Sequence, residues 1–535
     1  MLTGCTPWPT ETANRYRRLG IWRGEPVDAL LTHAARRDSE AIALVHDDRR
    51  YTYGELEEWV FRLASGFARQ GVAPGERVLV QLPNVPEFVA VVFALLKLGA
   101  KPVFSLIAHR HAEITHLVQL SGATHYVFPD VHRNYDHREL AVRIQRENSS
   151  LQTLFVVGEA AEGLVAVDAL DVDENWTPPP ADPSDVAFFL LSGGTTALPK
   201  LVPRTHDDYA YQIAQTTSLC GITNSDTYLA ALPIEFNFAW GCPGVVGTLA
   251  AGGTVVLSDT PSPMACLPLV EREGVTFTSL VPSVLALWIE VAEWTTSNLS
   301  SLRLVQVGGA KLGKDLAAKV MPALDCDLQQ VFGMAEGLLC FTRAEDPVEV
   351  KLTTQGRPVS YADEIRIVDG VELVPLGGIG ELVTRGPYTI RGYYAAPEHN
   401  SRAFTAEGFY RTGDLARLTP RGDLVIEGRI KDVVIRGGDK INAAEVEEHL
   451  LTHDAVAAVA VVGLPDELFG ERICAFVVAA GAAPTPAELR QAMHARGVAD
   501  YKLPDEVRFV DELPLTPLGK VDKKALAHTG KGVPS

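Results

Sequence analysis

Apolar, strand-like segments alternate with longer amphipathic segments from about residue 40 to residue 340. Thr52 and Glu55 stand three residues apart before an apolar run, which is the pattern of a capping box, and we predict a helix from there to Ala68. Val78–Gln81 then predicts a strand, and Val85–Leu98 predicts a second helix. Because parallel strands need such crossover helices, the alternation predicts an α/β fold with largely parallel sheets covered by helices.

The pattern changes twice in the C-terminal third of the chain. Between about 355 and 428, short strands are separated by Gly and Pro turns, which predicts a small antiparallel barrel or sheet. Gly428–Asp432 is then expected to separate two domains. We therefore predict a large N-terminal domain over residues 1–428, with stacked mixed sheets, helices and a small β-barrel subdomain, followed by a small α+β domain over residues 429–535.

Charge and cysteine content exclude several classes of protein. The chain has 48 Lys and Arg against 67 Asp and Glu, a formal charge of −19, which argues against general binding to nucleic acids or anionic membranes. Its seven cysteines are scattered without a C-x-x-C pair, so neither a disulfide framework nor a structural zinc site is predicted. The first 22 residues lack the apolar core of a signal peptide, and Val89–Leu98, the most apolar segment, is too short to span a bilayer. These features predict a soluble protein in a reduced, cytoplasmic setting.

A loop rich in Gly and Thr follows the apolar run Val186–Leu191. Its small residues allow backbone N–H groups to approach an anion, its threonines add hydroxyl donors, and its lysine adds positive charge. We predict that this loop holds a polyphosphate through Ser192, Gly193, Gly194, Thr195, Thr196 and Lys200. It differs from the G-x-x-x-x-G-K-[ST] loop of ordinary nucleotide triphosphatases, because Pro199 stands where that loop has glycine. Taken alone, the segment is also typical of a plain turn.

Five motifs occur in a fixed order over more than three hundred residues. They are the loop 192–200, Phe332–Glu336, Tyr410–Asp414, Gly428-Arg429 and Gly519-Lys520. With these motifs the chain resembles, over essentially its whole length, the adenylate-forming superfamily of acyl-CoA synthetases, non-ribosomal peptide synthetase adenylation domains and luciferases. The resemblance is greatest to free-standing aryl-acid AMP ligases, in the segments Arg204–Tyr209, Gln329–Glu336 and Gly386–Tyr394.

The resemblance implies a reaction in which a carboxylate attacks the α-phosphate of ATP and becomes an acyl adenylate. Thr195 and Thr196 are implied to bind the β- and γ-phosphates. Glu336, with Thr196, is implied to hold Mg²⁺, a hard cation that prefers oxygen ligands. Asp414 is implied to accept hydrogen bonds from the ribose hydroxyls. Further nucleotide contacts are implied at Gly308, Gly309, Ala310, Val331, Phe332, Gly333, Met334, Ala335, Arg429 and Lys431.

Two lysines carry the role that the resemblance implies for the C-terminal domain. Lys520 is implied to bridge the substrate carboxylate and the nucleotide, where it neutralises charge in the transition state. Lys431 matches the hinge about which this domain, implied to be mobile, withdraws Lys520. The implied acceptor is the phosphopantetheine thiol of an aryl carrier protein in natural-product or siderophore biosynthesis, and free coenzyme A is the alternative.

Residues 232–244 align with the segment that lines the aryl pocket in this subfamily. Asn237 matches the asparagine that hydrogen-bonds an ortho hydroxyl group, and Phe238 provides an apolar wall. Cys242 and Leu339 match positions where salicylate ligases tend to have cysteine and leucine, whereas 2,3-dihydroxybenzoate ligases tend to have serine and valine. The predicted substrate is therefore salicylate, with 2,3-dihydroxybenzoate, anthranilate and 3-hydroxyanthranilate as alternatives. The substrate is also implied to contact Gly309, Gly333 and Lys520.

Two residues and one function have open alternatives. Glu235 is predicted to be a solvated or ion-paired surface carboxylate, and the alternative is that it tunes the pocket toward an amino-substituted acid. His206 is a candidate catalytic residue beside the adenylate, and the alternative is that it only begins the following helix. A protein that binds nucleotide without catalysis is the alternative function from another class.

Overall fold

The computed structural model describes residues 1–192, 199–436, 439–466, 469–496, 498, 500–516 and 520–530. Across these residues the α-helices are α1 Thr10–Arg18, α2 Val27–Arg37, α3 Tyr53–Arg69, α4 Pro86–Leu98, α5 His111–Ser121, α6 His137–Glu147, α7 His206–Leu219, α8 Asn237–Gly241, α9 Gly244–Ala251, α10 Pro263–Glu273, α11 Pro282–Ala292, α12 Lys314–Ala317, α13 Val320–Leu324, α14 Val348–Thr353, α15 Pro397–Ala403, α16 Ala443–Leu451, α17 Pro486–Ala495 and α18 Lys523–Gly530. Short 3₁₀ turns cover Val167–Ala169, Ile430–Asp432 and Asp500–Lys502.

The strands of the described residues are β1 Ile42–His46, β2 Arg49–Thr52, β3 Arg77–Val80, β4 Lys101–Phe104, β5 His125–Pro129, β6 Val131–His132, β7 Tyr135–Asp136, β8 Thr153–Val157, β9 Val165–Ala166, β10 Val186–Leu191, β11 Leu201–Thr205, β12 Thr227–Ala230, β13 Thr254–Leu257, β14 Phe277–Leu280, β15 Leu304–Gly308, β16 Asp327–Met334, β17 Gly337–Phe341, β18 Arg357–Pro358, β19 Glu364–Asp369, β20 Glu372–Leu373, β21 Gly380–Arg385, β22 Tyr410–Leu418, β23 Leu424–Arg429, β24 Val433–Arg436, β25 Asp439–Asn442, β26 Val456–Asp466, β27 Gly470–Ala479 and β28 Glu506–Phe509.

Two mixed, mainly parallel sheets form the N-terminal part. One has the order β18-β17-β16-β15-β14-β12-β13-β1-β2, and the other has the order β11-β10-β4-β3-β5-β8-β9. Strands from both contribute to one buried apolar cluster that also contains most of α4. Within it, the ring of Phe88 on α4 packs edge-on against Phe104 of β4 and Trp240 of α8. The predicted α/β class with stacked mixed sheets is confirmed.

The remaining strands form two smaller sheets. An antiparallel sheet with the order β20-β19-β21-β22-β23 occupies the β-rich segment. A small barrel or sheet is predicted here, and the described strands form an open sheet. After β23 ends at Arg429, β24 begins at Val433 in a separate sheet, β25-β24-β27-β26, with β28 paired to β27. The chain therefore changes sheets inside the predicted boundary segment.

Local sequence signals account for several element ends. Thr52 Oγ1 accepts a hydrogen bond from the Glu55 N–H at 3.1 Å, and Glu55 Oε2 accepts one from the Thr52 N–H at 2.8 Å, which completes the predicted capping box. α4 begins at Pro86 and ends before Gly99, which takes the left-handed conformation with φ of 79°. In the described residues, no helix has the length and apolar character needed to cross a membrane.

Candidate active site

The two ends of the predicted phosphate loop are held together by the β10–β11 hairpin. The Ser192 N–H donates to the Lys200 carbonyl at 3.0 Å, and the Lys200 N–H donates to Ser192 Oγ at 3.1 Å. Lys200 Nζ lies 5.6 Å from the centre of the Tyr393 ring. Gly193, Gly194, Thr195 and Thr196 lie outside the described residues, so their predicted contacts stay predictions.

Glu336 follows β16 and is buried beside the same tyrosine. Its Oε1 accepts a hydrogen bond from the Tyr393 hydroxyl at 2.6 Å, and the Tyr393 and Tyr410 hydroxyls are 2.8 Å apart. The Ile390 N–H donates to the Glu336 carbonyl at 2.8 Å, which fixes the backbone at this position. Burial raises the pKa of Glu336, against the stabilising effect of the Tyr393 hydrogen bond. The structure thus brings one end of the loop and one carboxylate to a common tyrosine.

Asp414 and Arg429 lie opposite each other on the adjacent strands β22 and β23. Arg429 Nε lies 2.8 Å from Asp414 Oδ1, and the Asp414 side chain is buried. Burial raises the pKa of Asp414, while the charges of Arg429 and Lys520 lower it. The predicted ribose acceptor is therefore a buried carboxylate that forms an ion pair with Arg429.

Lys520, from the C-terminal part, lies near Glu336 and Asp414, which together we call the acidic cluster. A methyl group placed on Gly309, just after β15, would lie 3.9 Å from Lys520 Cε. Burial, and then the positive charge of Arg429, lower the pKa of Lys520, whereas Asp414 and Glu336 raise it. The pKa of Lys431, on the 3₁₀ turn between the sheets, is also lowered, mainly by burial. The predicted lysines, carboxylates and glycine turn are thus neighbours in the structure.

Contacts across the predicted domain boundary hold the C-terminal part in this position. Asn442 Nδ2 donates to the carbonyl of Glu427 at 2.6 Å. Lys311 follows the turn at Gly309. Its Nζ lies 3.3 Å from Glu448 Oε2 on α16 and 3.8 Å from Glu427 Oε2. The Lys311–Glu448 pair is exposed, so it adds little to the stability of this arrangement.

The predicted backbone contacts line up on two neighbouring parallel strands. Gly308 at the end of β15 pairs with Val331 of β16. A methyl group on Gly308 would lie 2.8 Å from the Val331 carbonyl and 3.2 Å from the Phe238 ring, so only glycine lets that ring approach the strand. The carboxyl ends of both strands, where ligands usually bind in such sheets, carry the remaining predicted contacts. These are Gly309, Ala310, Phe332, Gly333, Met334 and Ala335.

The predicted aryl pocket lies beside these strand ends. Asn237 Nδ2 donates to the Met334 carbonyl at 3.4 Å, and Asn237 Oδ1 accepts from the Tyr209 hydroxyl at 2.9 Å. A methyl group on Gly333 would lie 2.4 Å from the side chain of Leu339, its partner on β17. Cys242 is buried, with its Sγ 3.8 Å from Gln212 Nε2. The structure therefore brings together five predicted pocket residues, which are Asn237, Phe238, Cys242, Gly333 and Leu339.

Glu235 is not at the surface, so the prediction of a solvated or paired surface carboxylate is wrong. The residue is 4% exposed, and its Oε2 has no hydrogen-bond partner among the described residues. Burial raises its pKa to about 7, although the backbone N–H groups of Glu235 and Ile107 act in the opposite direction. The preceding turn buries this side chain against the loop at Ile107, a long-range contact that composition does not reveal.

His206 lies at the other end of the β10–β11 hairpin from the phosphate loop. Thr205 pairs with Val186 at the start of β10, whereas Leu201 pairs with Leu191 beside the loop. Four residues of extended chain separate the two ends by about 13 Å. His206 Nδ1 accepts a hydrogen bond from the Val27 N–H at 3.1 Å, and burial lowers its pKa to about 3. Its described contacts are those of a neutral histidine that begins α7, and its predicted catalytic role stays a prediction.

Several side chains of this site were not singled out from the sequence. Tyr393 and Tyr410 orient Glu336. Arg204 on β11 and Gln212 on α7 contact the pocket. Asp208 and Gln212 stand four residues apart on α7, which places their side chains on one face of the helix, and Arg204 lies on β11, four residues before Asp208. This spacing is a signal that the sequence does carry.

The arrangement combines two kinds of chemistry. Four cationic side chains and two buried carboxylates surround the strand ends, which suits a polyphosphate and a metal ion that neutralise one another. Beside them lies a neutral pocket with an aromatic wall and one amide. This combination of groups suits a reaction between a nucleotide phosphate and a small apolar acid. The cationic residues are Lys200, Arg429, Lys431 and Lys520.

Comparison with known proteins agrees with this geometry. The family model of the AMP-binding enzymes matches residues 31–394, and the model of the AMP-binding enzyme C-terminal domain matches residues 445–520. The chain is 48% identical over 527 residues to the 2,3-dihydroxybenzoate-AMP ligase of Bacillus subtilis (strain 168), which covers 98% of this chain and 97% of the relative.

Two further matches have similar extent. The chain is 45% identical over 535 residues to the salicyl-AMP ligase / salicyl-S-ArCP synthetase of Mycobacterium tuberculosis, covering 98% of this chain and 94% of the relative. The apo structure of Mycobacterium smegmatis MbtA superposes with a TM-score of 0.77 at 46% identity, covering 98% of both chains. The resemblance to the adenylate-forming superfamily is thereby confirmed, and the chain belongs to the AMP-binding enzyme family as an adenylating ligase.

Proposed function

We propose that this ligase activates salicylate with ATP and transfers the salicyl group to the phosphopantetheine thiol of an aryl carrier protein. The observation that carries the proposal is the position of Lys520, whose side chain meets the Gly309 turn between the acidic cluster and the aryl pocket. A carboxylate in that pocket and an α-phosphate at the cluster share one cation.

The first step forms a mixed anhydride. A carboxylate oxygen of the acid attacks the α-phosphorus of ATP, a new P–O bond forms, and the bond to the bridging oxygen breaks so that pyrophosphate leaves. Lys520 neutralises the negative charge that increases on the oxygens around the phosphorus. Asp414 binds the ribose hydroxyls, and Lys200 and the loop residues bind the departing phosphates. The surrounding strand ends hold the reactants close enough for in-line attack.

Magnesium fits the donor groups of this site. No three His, Cys, Asp or Glu side chains form a metal cluster within the described ranges. Mg²⁺ is commonly held by one or two carboxylates together with substrate phosphates and water, so a single oriented carboxylate is sufficient. Glu336 is that carboxylate, since Tyr393 fixes its orientation, and Thr196 is the predicted second ligand. The ion supplies charge neutralisation at the phosphate oxygens.

The choice of salicylate depends on the pocket. Asn237 supplies a polar group for the ortho hydroxyl, and Phe238 packs its ring against Gly308 as a flat apolar wall. Cys242 and Leu339 are the pair expected for salicylate rather than 2,3-dihydroxybenzoate. Two relatives are named for these two acids, one for each, so their names support an ortho-hydroxy acid without separating the two.

The second step transfers the acyl group to sulfur. A thiolate attacks the acyl carbon of the adenylate, the bond from that carbon to the phosphate oxygen breaks, and AMP leaves while the thioester forms. Rotation of the C-terminal part at Lys431 withdraws Lys520 from the adenylate and lets the thiol enter. One relative is named as a salicyl-S-ArCP synthetase, which supports a carrier-protein thiol as acceptor.

An acid-dependent exchange of labelled pyrophosphate into ATP tests the first step. Salicylate is expected to support faster exchange than 2,3-dihydroxybenzoate, anthranilate, 3-hydroxyanthranilate or benzoate. Faster exchange with one of the other acids would replace the proposed substrate, and ATP binding without any acid-dependent exchange would contradict catalysis. Incubating the pre-formed adenylate separately with a phosphopantetheinylated aryl carrier protein and with coenzyme A tests the second step. Thioester formation on coenzyme A alone would contradict the proposed acceptor.

A further inference from the structure

A chain of buried polar side chains connects the end of β11 to the aryl pocket. Its members are Arg204, Gln212 and Asn237, of which Arg204 and Gln212 are 0% exposed. Arg204 Nη2 donates to Gln212 Oε1 at 2.9 Å, and Gln212 Nε2 donates to Asn237 Oδ1 at 3.2 Å. Because buried polar groups need partners, these three side chains constrain one another.

The direction of donation along this chain is fixed at its arginine end. A guanidinium donates hydrogen bonds and never accepts them, so the atom of Gln212 that faces Arg204 is the amide oxygen. The amide nitrogen of Gln212 therefore faces the opposite way. It donates to the Gly241 carbonyl at 2.8 Å, which is also restricted to one role, that of acceptor. Gln212 is thus held at both ends by groups that cannot exchange roles.

The orientation of Gln212 determines the orientation of Asn237. The amide oxygen of Asn237 faces two donors, Gln212 Nε2 and the Tyr209 hydroxyl. Burial raises the pKa of Tyr209 well above its ordinary value, so this hydroxyl keeps its proton. Two donors occupy both lone-pair directions of the amide oxygen. Among the described residues, the amide nitrogen has one acceptor, the Met334 carbonyl at 3.4 Å, and this accounts for one of its two N–H bonds.

Arg204 itself is held in place from two sides. Its Nε donates to Asp208 Oδ1 at 2.9 Å, and its Nη1 donates to the Ala335 carbonyl at 3.1 Å, next to Glu336. Asp208 Oδ2 accepts from the N–H and the hydroxyl of Thr205, each at 2.7 Å. The guanidinium therefore has a single orientation, and it links the pocket amide to the backbone of the acidic cluster.

We propose that Arg204 and Gln212 are positioning residues that make Asn237 present an N–H donor to the substrate, so that the pocket selects aryl acids whose ortho group accepts a hydrogen bond. This inference rests on the proposed function of the pocket as an aryl-acid site. It converts an asparagine that is able to donate or accept into a group with one polarity.

The polarity separates two acids of nearly equal size. In salicylate the ortho hydroxyl donates its only proton to the neighbouring carboxylate, so its oxygen lone pairs face outward and accept. In anthranilate one amino proton makes the same internal contact, and the second faces outward as a donor. Two donors facing each other leave both unsatisfied in a buried site, which is expected to weaken anthranilate about tenfold to a hundredfold relative to salicylate.

Asn237→Asp is the sharpest test, because it replaces the N–H-bearing atom by an oxygen of similar size. Because its added charge repels the carboxylates of both acids alike, the ratio between the acids is the readout. The remaining carboxylate oxygen still accepts from Tyr209 and Gln212, while the new oxygen presents an acceptor to the pocket. We expect the ratio of anthranilate to salicylate kcat/KM in pyrophosphate exchange to rise at least tenfold over that of the native enzyme. An unchanged ratio would overturn the proposal. Thermal melting checks that the variant is folded.

Gln212→Leu tests the positioning role without touching the substrate. With the amide of Asn237 no longer held, we expect the KM for salicylate to rise about tenfold, with kcat and the KM for benzoate within about twofold of native values. Tyr211→Phe is the matched control, since it removes the hydroxyl that lies 2.8 Å from Ser360 Oγ on the same helix but outside this chain. Equal effects of the two variants, or equal losses on both acids, would contradict a positioning role.

Equilibrium binding separates this inference from the proposed function. Titration calorimetry of the native enzyme with salicylate and with anthranilate needs no turnover. Tighter binding of salicylate by at least tenfold is expected even if exchange fails, and in that case only the proposed reaction falls. Equal or tighter binding of anthranilate would overturn the polarity of the pocket, whatever the exchange assay gives.

Discussion

The aryl pocket and the charged cluster lie side by side but are built differently. The predicted lining of the pocket, Asn237, Phe238, Cys242, Gly333 and Leu339, is uncharged and comes from the N-terminal part, and each hydrogen bond around Asn237 has a fixed direction. The cluster combines charges of both signs, and Lys520 reaches it from the C-terminal part. We expect a pocket with fixed hydrogen bonds to discriminate between acids, and a cluster assembled from two parts to allow Lys520 to enter and leave. From this difference we infer that selection and chemistry depend on separate residues.

Removal of the cation from the cluster is expected to have the largest effect. Lys520→Ala should lower the rate of pyrophosphate exchange about 10²–10³-fold, because one preorganised charge at the transition state is lost. Exchange kinetics at saturating acid measure this effect. Lys502→Ala is the matched control. Lys502 also belongs to the C-terminal part, and its Nζ lies 2.5 Å from Glu445 Oε1. A loss of less than about threefold for Lys520→Ala would contradict its role.

Burial of Glu235, two residues before the pocket residue Asn237, predicts a stability change that depends on pH. Its pKa is about 7 in the folded protein against 4.5 for an ordinary glutamate, so the folded state binds more protons between these values and stability falls as pH rises through them. Glu235→Gln is expected to remove this loss, about 3 kcal/mol at pH 8 and about 1 kcal/mol at pH 5. Thermal unfolding at the two pH values measures the difference.

The opposite pH trend would mean that Glu235 is ionised and paired in the folded state. A gain that is equal at pH 5 and pH 8 would assign the effect to packing rather than to protonation. Either result would remove the contrast between a neutral pocket side and a charged cluster side.

The smallest effect is expected where the two parts of the chain meet at the surface. Lys311→Ala removes the exposed pair with Glu448, which contributes less than about 1 kcal/mol. We expect adenylation to slow by about threefold at most, with the effect disappearing at high salt. A much larger loss that persists in salt would mean that docking of the C-terminal part depends on this one contact.

The sequence predicted those features that depend on local patterns. The capping box at Thr52 and the two helices that follow it required only residue spacing, and the motif order predicted that Lys520 and Asp414 belong to one site. The break between α12 and α13 was not predicted, because short turns interrupt helices without a strong local signal.

Burial and polarity within the site were less predictable. Glu235 was expected at the surface because charged side chains are rarely buried, and only the distant loop at Ile107 explains its position. The role of Arg204 on β11 depends on Gln212 on α7 and Asn237 on α8, so it combines three segments of the chain. The direction of a hydrogen bond follows from partners in space, so no pattern of residue types reveals it.

One comparison of two variants tests directly whether selection and chemistry are separate. Exchange kinetics with salicylate and benzoate are measured for Lys520→Ala and Asn237→Ala. We predict that Lys520→Ala lowers kcat by the same factor for both acids and leaves their kcat/KM ratio unchanged, whereas Asn237→Ala lowers kcat/KM for salicylate at least tenfold more than for benzoate. If both variants changed the salicylate-to-benzoate ratio by the same factor, the pocket and the cluster would act as one unit, and the separation of selection from chemistry would be contradicted.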